Sequence, residues 1–350
     1  MRKITVKFFI INWAIFSLYS CGGIFKNHSE DALIQDSTLS LVVKEWSKMI
    51  NENPENDEYI YKRGLELAKD NRPDLALLDM QRAIKLSPNN ANYLIGEADV
   101  YMAQNETKKA LESYKKAVEV DGKNETALLS LGRFYYFVRQ FDNAKSVLEK
   151  LEKVNSANAE GLFYQGMIWK ENKDTTEAIK KFQKVTQIDL YHHEALIQLG
   201  QLYAAKNDTI GLAYFHNALL ANPDSDEAAY SMGFLYQNLG LLPNGTVVKK
   251  AYLDSAMVYY QKTIDLNAQH YLAYYNVGYI NFWLNNIDRA NEHFLIAVKF
   301  APEFTKGHYM IGLCHETKGQ NEQAKALYEK CLKIEPDFEK AKLGLKRVSK

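Results

Sequence analysis

The chain has 350 residues, with 43 basic and 43 acidic side chains that cancel to a formal net charge of zero. Hydrophobic residues make up 47% and charged residues 25%, which places the chain among folded rather than disordered sequences. Balanced charge without a basic stripe argues against nucleic acid as a partner.

The N-terminus differs in kind from the rest of the chain. "MRKITVK" is positively charged, and "FFIINWAIFSLYS" is an apolar run of 13, short of the roughly 20 residues that a spanning helix needs. The run ends at Cys21, with Ser20 before it and Leu18 three places back. This arrangement resembles a bacterial lipoprotein signal, although Tyr19 is bulkier than the small residue usual at its position. An ordinary signal peptide is the rival reading, and no A-x-A site is present. The resemblance implies a signal peptide over residues 1–20, lipid attachment at Cys21 and a flexible tether over 21–37. Gly22 is not the aspartate that retains some lipoproteins at the inner membrane, so the expected location is the outer membrane, facing the periplasm.

Beyond the tether a small residue recurs at a steady interval. Gly64, Ala98, Gly132, Gly166 and Gly200 are 34 residues apart, Gly233 comes after 33, Gly278 after 45 and Gly312 after 34. Three places on stand Leu67, Tyr101, Tyr135, Trp169, Tyr203 and Tyr236, then Asn281 and His315, which break the pattern. A second small position lies 12 beyond the first (Ala76, Ala110, Ala144, Ala178, Ala290, Ala324, with Gly211 one early). Four further on lie Met80, Tyr114, Leu148, Phe182, Phe215, Phe294 and Tyr328. Apolar residues at steps of three and four on both sides of a short polar break predict two helices per unit, and a fixed period predicts a stacked array. Glycine inside a helix costs about 1 kcal/mol relative to alanine. Its recurrence is explained if each small residue lets one helix approach its partner closely, with the large residues filling the flanks.

These positions resemble the tetratricopeptide repeat. Leu128, Leu131, Gly132, Tyr135, Ala144 and Leu148 stand where that family has W-x2-L-G-x2-Y…A-x3-F. The resemblance implies an all-α fold, a right-handed superhelical solenoid of helix-turn-helix units. Eight units are expected over residues 55–338. A half-repeat helix over 38–54 precedes them, with Val42, Trp46, Met49 and Pro54 at second-helix positions. A polar capping helix over 339–350 ends the array, such as repeat arrays need for solubility. The extra length between Gly233 and Gly278 is an 11-residue insertion near 241–252. Pro243-Asn244-Gly245 predicts a turn there. Thr246 is the expected cap of a second helix begun about two turns early, giving a projecting stub that is either a docking element or a tolerated insertion.

No catalytic or phosphate-binding motif is present, so no enzyme, cofactor or metal is expected. His192 and His193 read as junction residues between units, and His308 and His315 as core packing rather than metal ligands. Cys331 takes the place of Ala117 and Ala297, a small apolar position, and a disulfide to Cys314 is the minority reading. Four D-[ST]-x triplets, at Asp36, Asp174, Asp208 and Asp254, resemble a weak bacterial O-glycosylation motif.

The face opposite the repeat motif on each first helix carries the sharpest signal. In the family those positions line a concave groove. Early units place polar residues there (Glu58, Tyr61, Lys69, Asn92, Asp99). Later ones place Arg133, Tyr136, Phe137, Phe163 and Met167, then Tyr230 and Phe234, then Leu272, Tyr275, Tyr279, Phe282 and Trp283, then Tyr309 and Leu313. So many rings on a face expected to meet solvent suit a bound segment. The alternative is that the rings pack against neighbouring units. The family's grip on a terminal carboxylate is disfavoured, because Tyr61, Leu65 and Gly96 stand where that set would begin. The expected function is a non-enzymatic interaction scaffold, lipid-anchored at the cell envelope, that holds another protein or peptide. The alternatives are a self-associating homo-oligomeric spacer and, ranked last, a glycan-binding or enzymatic protein with an unrecognised site.

Overall fold

A computed structural model describes residues 30–349. The signal-like segment, Cys21 and the start of the tether lie outside them. Among the described residues the chain is helical, apart from one isolated bridge between Leu241 and Val247. No helix among them is long and apolar enough to cross a membrane.

The helices pair as antiparallel neighbours: α1 (Glu30–Gln35) with α2 (Leu41–Glu52), then α3 (Asp57–Lys69) with α4 (Pro73–Leu86), and α5 (Ala91–Ala103) with α6 (Thr107–Val120). The series continues with α7 (Glu125–Phe137) and α8 (Phe141–Val154), α9 (Ala159–Glu171) and α10 (Thr175–Ile188), and α11 (His193–Ala204) and α12 (Ile210–Ala221). It ends with α13 (Asp226–Gly240) and α14 (Lys250–Leu266), α15 (Tyr271–Trp283) and α16 (Ile287–Phe300), α17 (Thr305–Thr317) and α18 (Asn321–Ile334), and the single α19 (Glu339–Val348). The chain divides into two compact units, residues 1–131 and 132–350.

Local chemistry repeats with the packing. Eight residues before each small position stands an N-cap: Asn56, Asn90, Asn158, His192, Ser225 and His270 each accept a backbone N–H of the next turn. Asn124 does the same for Ala127. Such caps satisfy donors that a helix start leaves open. At the other end a residue with positive φ closes the first helix: Asn71, Asn105, Arg139, Lys173, Asn207, Asn285 and Gly319. The N–H groups of Lys173 and Asp174 bond back to the carbonyls of Lys170 and Trp169, both at 3.0 Å, the Schellman pattern. Between the helices of a pair, the second small residues Ala76, Ala110, Ala144, Ala178, Ala290 and Ala324 are fully buried.

In the first unit, two expectations change. Residues 30–35, counted within the tether, form α1, because Leu33 is buried with Leu39, Val43, Leu67 and Leu75. The register of α2 is rotated by one residue: Val42 and Met49 are exposed and Trp46 partly so, while Val43, Ser47 and Ile50 are buried. The cause lies in the next pair. Arg63 is buried and donates to both oxygens of Asp79 at 2.7 and 2.8 Å and to Ser47 Oγ at 3.1 Å. A buried guanidinium must have its donors satisfied, and α2 turns a serine rather than a tryptophan towards it.

In the second unit, the insertion also differs from expectation. The start of α14 is Lys250, capped by Lys249 without a side-chain bond, and Thr246 is not a cap. Residues 241–249 form instead a tight turn, closed by Leu242 N–H to Thr246 O at 3.0 Å and Gly245 N–H to Leu242 O at 2.9 Å. Gly245, at φ +87, lies directly against the ring of Trp283. The turn is folded onto α15 and does not project as a free stub. At the C-terminal end, α19 packs on α17 and α18, with Ala341 and Gly344 buried. Arg347 pairs with both oxygens of Glu316 at 2.6 and 2.8 Å.

An aromatic face on the first helices as candidate functional site

From α11 to α19 each first helix touches the next first helix as well as its own partner, whereas successive second helices show no comparable contact among the described residues. The first helices therefore form a continuous layer there. Together with α7 and α9 before it, this layer carries the predicted ring positions. Of the eleven, Phe137 is 60% and Phe234 42% exposed. Tyr136, Phe163, Met167, Tyr230, Tyr275, Tyr279, Phe282, Trp283 and Tyr309 are partly buried.

The rings are not one open surface. They form three groups, each spanning neighbouring helices. Tyr136, Phe137 and Tyr164 meet edge to face or tilted, with centroids 5.4–6.1 Å apart. Phe163 stacks on the N-cap His192 at 5.2 Å, and Met167 borders the same core. Tyr230 lies against Phe234, Tyr260 and His270, and its hydroxyl accepts from Asn276 Nδ2 at 3.1 Å. Packing between units thus accounts for much of the ring content.

The third group is where a cavity remains. Tyr275 stacks on Tyr279 at 6.1 Å and meets Phe304 edge-on at 5.1 Å. One period later Tyr309 meets Phe338 edge-on at 5.6 Å. A cavity of about 320 Å³ opens between α15, α17 and the start of α19, lined by Tyr275, Tyr279, Tyr309, Met310 and Phe338, with Lys306, Asp337, Glu339 and Lys340 at its charged part. Burial pushes the Tyr275 phenol well above its ordinary value, so its hydroxyl stays neutral. The wall can receive an apolar side chain and offer neutral hydroxyls to its backbone. Trp283 continues this group at the end of α15, edge-on to Tyr279 at 6.1 Å and to Phe282 at 5.4 Å, and lies under the Gly245 turn with its buried indole N–H without a partner among the described residues.

Phe338 and Met310 were not among the predicted positions. The missed signal is periodic: Phe304 and Phe338 are 34 apart at the N-cap position, where other units carry a capping side chain and these two carry a ring.

The remaining candidates are structural. His193 Nδ1 donates to Ala218 O at 3.1 Å, and buried His308 donates from Nε2 to Pro302 O at 2.8 Å. No cluster of three metal-ligating side chains occurs among the described residues. Cys314 and Cys331 are free, buried thiols.

A family model described as Tetratricopeptide repeat protein 21 second ARM domain matches residues 75–226, and one described as Tetratricopeptide repeat matches residues 305–338. No curated protein matches the chain. Among solved structures it is similar to PilF of Pseudomonas aeruginosa, at 16% identity and a TM-score of 0.53, over 61% of this chain and 92% of that one. A tetratricopeptide repeat protein from Parabacteroides merdae is similar at 17% identity and a TM-score of 0.51, over 75% of this chain and 99% of that one. The Cut9–Hcn1 hetero-tetramer of APC/C is similar at 14% identity and a TM-score of 0.54, over 92% of this chain and 62% of that one. At such identities the likeness is one of fold. Repeat spacing, paired helices and matching family models agree, and the chain belongs to the tetratricopeptide-repeat family.

Proposed function

We propose that this protein is a non-enzymatic scaffold, anchored at the outer membrane through a lipid on Cys21, that holds an extended segment of another protein along its first helices. The observation that supports the reading best is the cavity lined by Tyr275, Tyr279, Tyr309, Met310 and Phe338. Its volume of about 320 Å³ suits one large apolar side chain, and aromatic walls at a desolvated point are where binding energy concentrates. Phe137 and Phe234, the exposed members of the row, add apolar surface for a bound segment.

Photocrosslinking in cells from an unnatural residue at position 279, with exposed Lys299 on α16 as the control position, tests this. One discrete adduct from 279 and none from 299 is the expected result. Adducts only to further copies of the chain would replace the scaffold with a self-associating spacer. Tyr279→Ala combined with Trp283→Ala reduces capture of the crosslinked partner while helix content stays unchanged. Fatty-acid labelling that persists in Cys21→Ala would remove the anchor.

A further inference from the structure

Between the aromatic positions of α9 and those of α13 stands one cation with an unusual set of neighbours. Lys170 lies one turn beyond Met167 on α9 and is partly buried. Its ammonium donates to Gln198 Oε1 at 2.5 Å and to Gln201 Oε1 at 3.4 Å, both on α11. Gln201 in turn donates to Glu227 Oε1 at 3.1 Å. No carboxylate among the described residues stands within 4.0 Å of the ammonium. Glu171 and Glu227 act on it only at longer range, and Glu171 is engaged by Arg139 at 3.3 Å.

An ammonium has three donors. Two are taken by neutral carboxamides, which orient the group without neutralising it. The third has no partner among the described residues, and burial lowers the lysine's pKa as expected for a charge that lacks full compensation. A partly buried cation fixed by neighbours binds a carboxylate through a charge-assisted hydrogen bond and discriminates against a neutral isostere.

We infer that Lys170, held by Gln198 and Gln201, reads one acidic side chain in the segment bound along the first helices. This deepens the scaffold reading and rests on it: the apolar cavity holds the segment, and Lys170 selects it by charge. The partner segment therefore carries Asp or Glu at a fixed distance from a large apolar residue.

Selection of a phage-displayed library of random short peptides, in parallel on wild type, Lys170→Met, Lys170→Glu and Tyr279→Ala, tests the inference. Circular dichroism confirms that each variant is folded. The wild type is expected to enrich peptides that combine an acidic residue with a large apolar one. Lys170→Met keeps the apolar selection and loses the acidic one, and wild-type-selected peptides bind it about tenfold more weakly. Lys170→Glu shifts the selected residue to Lys or Arg. Equal acidic enrichment on wild type and Lys170→Met, with Tyr279→Ala altering the pool, overturns the role of Lys170 and leaves the scaffold standing. No enrichment on the wild type, or pools unchanged by Tyr279→Ala, overturns the peptide-binding reading together with it.

Discussion

A β-carbon placed on Gly166 would stand 2.6 Å from Cε1 of Phe182 on the partner helix, and the Phe182 ring is fully buried. The same relation links Gly132 to Leu148, Gly278 to Phe294 and Gly312 to Tyr328, at 2.6–2.8 Å for the nearest atom. Each pair joins the first small position to the large residue 16 places on, so the same side-chain contact closes each of these helix pairs.

Gly166→Ala therefore destabilises the protein, although alanine is the better helix former. The propensity gain is about 1 kcal/mol, and overpacking a rigid ring costs about 1–3 kcal/mol. A net loss of about 1 kcal/mol is expected in urea unfolding. Gly122→Ala is the control, because its nearest neighbour would be Val118 O at an ordinary 3.7 Å. A loss at Gly122 equal to that at Gly166 would contradict the contact argument.

The interhelix turns offer a gain. Lys173 sits at φ 63 and Arg139 at φ 60, a region that costs a side chain about 1–2 kcal/mol. Lys173→Gly is expected to raise the stability measured by urea unfolding by about 1 kcal/mol after the added unfolded-state entropy is deducted. Gly319, at φ +74 with open space around its β-position, gives the converse. Gly319→Ala lowers stability by a similar amount through backbone strain alone.

Acid weakens the C-terminal pairs through two groups whose signs agree. Hydrogen bonding to Arg347 holds Glu316 below its ordinary pKa, with Tyr328 adding to it. A depressed carboxylate contributes stability that is present above its ordinary pKa of about 4.3 and is lost as pH falls below it. His308 is pushed down by burial, so its neutral ring is favoured by folding. That contribution is present above about pH 6.5 and is lost below it. The protection factors of amides in α17–α19, measured by hydrogen exchange and corrected for the intrinsic pH dependence of the exchange rate, should fall in two steps on acidification. Arg347→Met removes most of the lower step, and an unchanged lower step would show that Glu316 does not carry it.

The thiols of Cys314 and Cys331 are 1% and 0% exposed. Burial pushes them up to about 12 and about 11. The thiolate is the reactive form, so neither is alkylated by iodoacetamide at pH 7 until the last pairs unfold. Peptide mass mapping that finds either modified in folded protein would contradict this burial.

The sequence by itself determined the helical pairs and their contacts. A 34-residue beat of small and large residues has one efficient packing solution, because each large residue must find a neighbour without a side chain in its way. The same beat held the asparagine caps, from Asn56 to Asn158, since capping is a local bond between a side chain and a backbone N–H two or three residues on.

Tertiary structure decided what periodicity could not encode. Exposure of a ring depends on the helix of the next unit, which is why Tyr230 and Tyr275 are partly buried while Phe137 and Phe234 remain exposed on the same helix layer. The register of α2 came from the bonding needs of Arg63, which stands where Leu131 stands in its own unit, one residue before the small position, and reaches Ser47 on the neighbouring helix. The insertion became a turn on Trp283 because a glycine with positive φ could lie flat on an indole, a contact between residues 38 apart. Burial and charge compensation are properties of neighbours in space, and those neighbours exist only once the pairs have stacked.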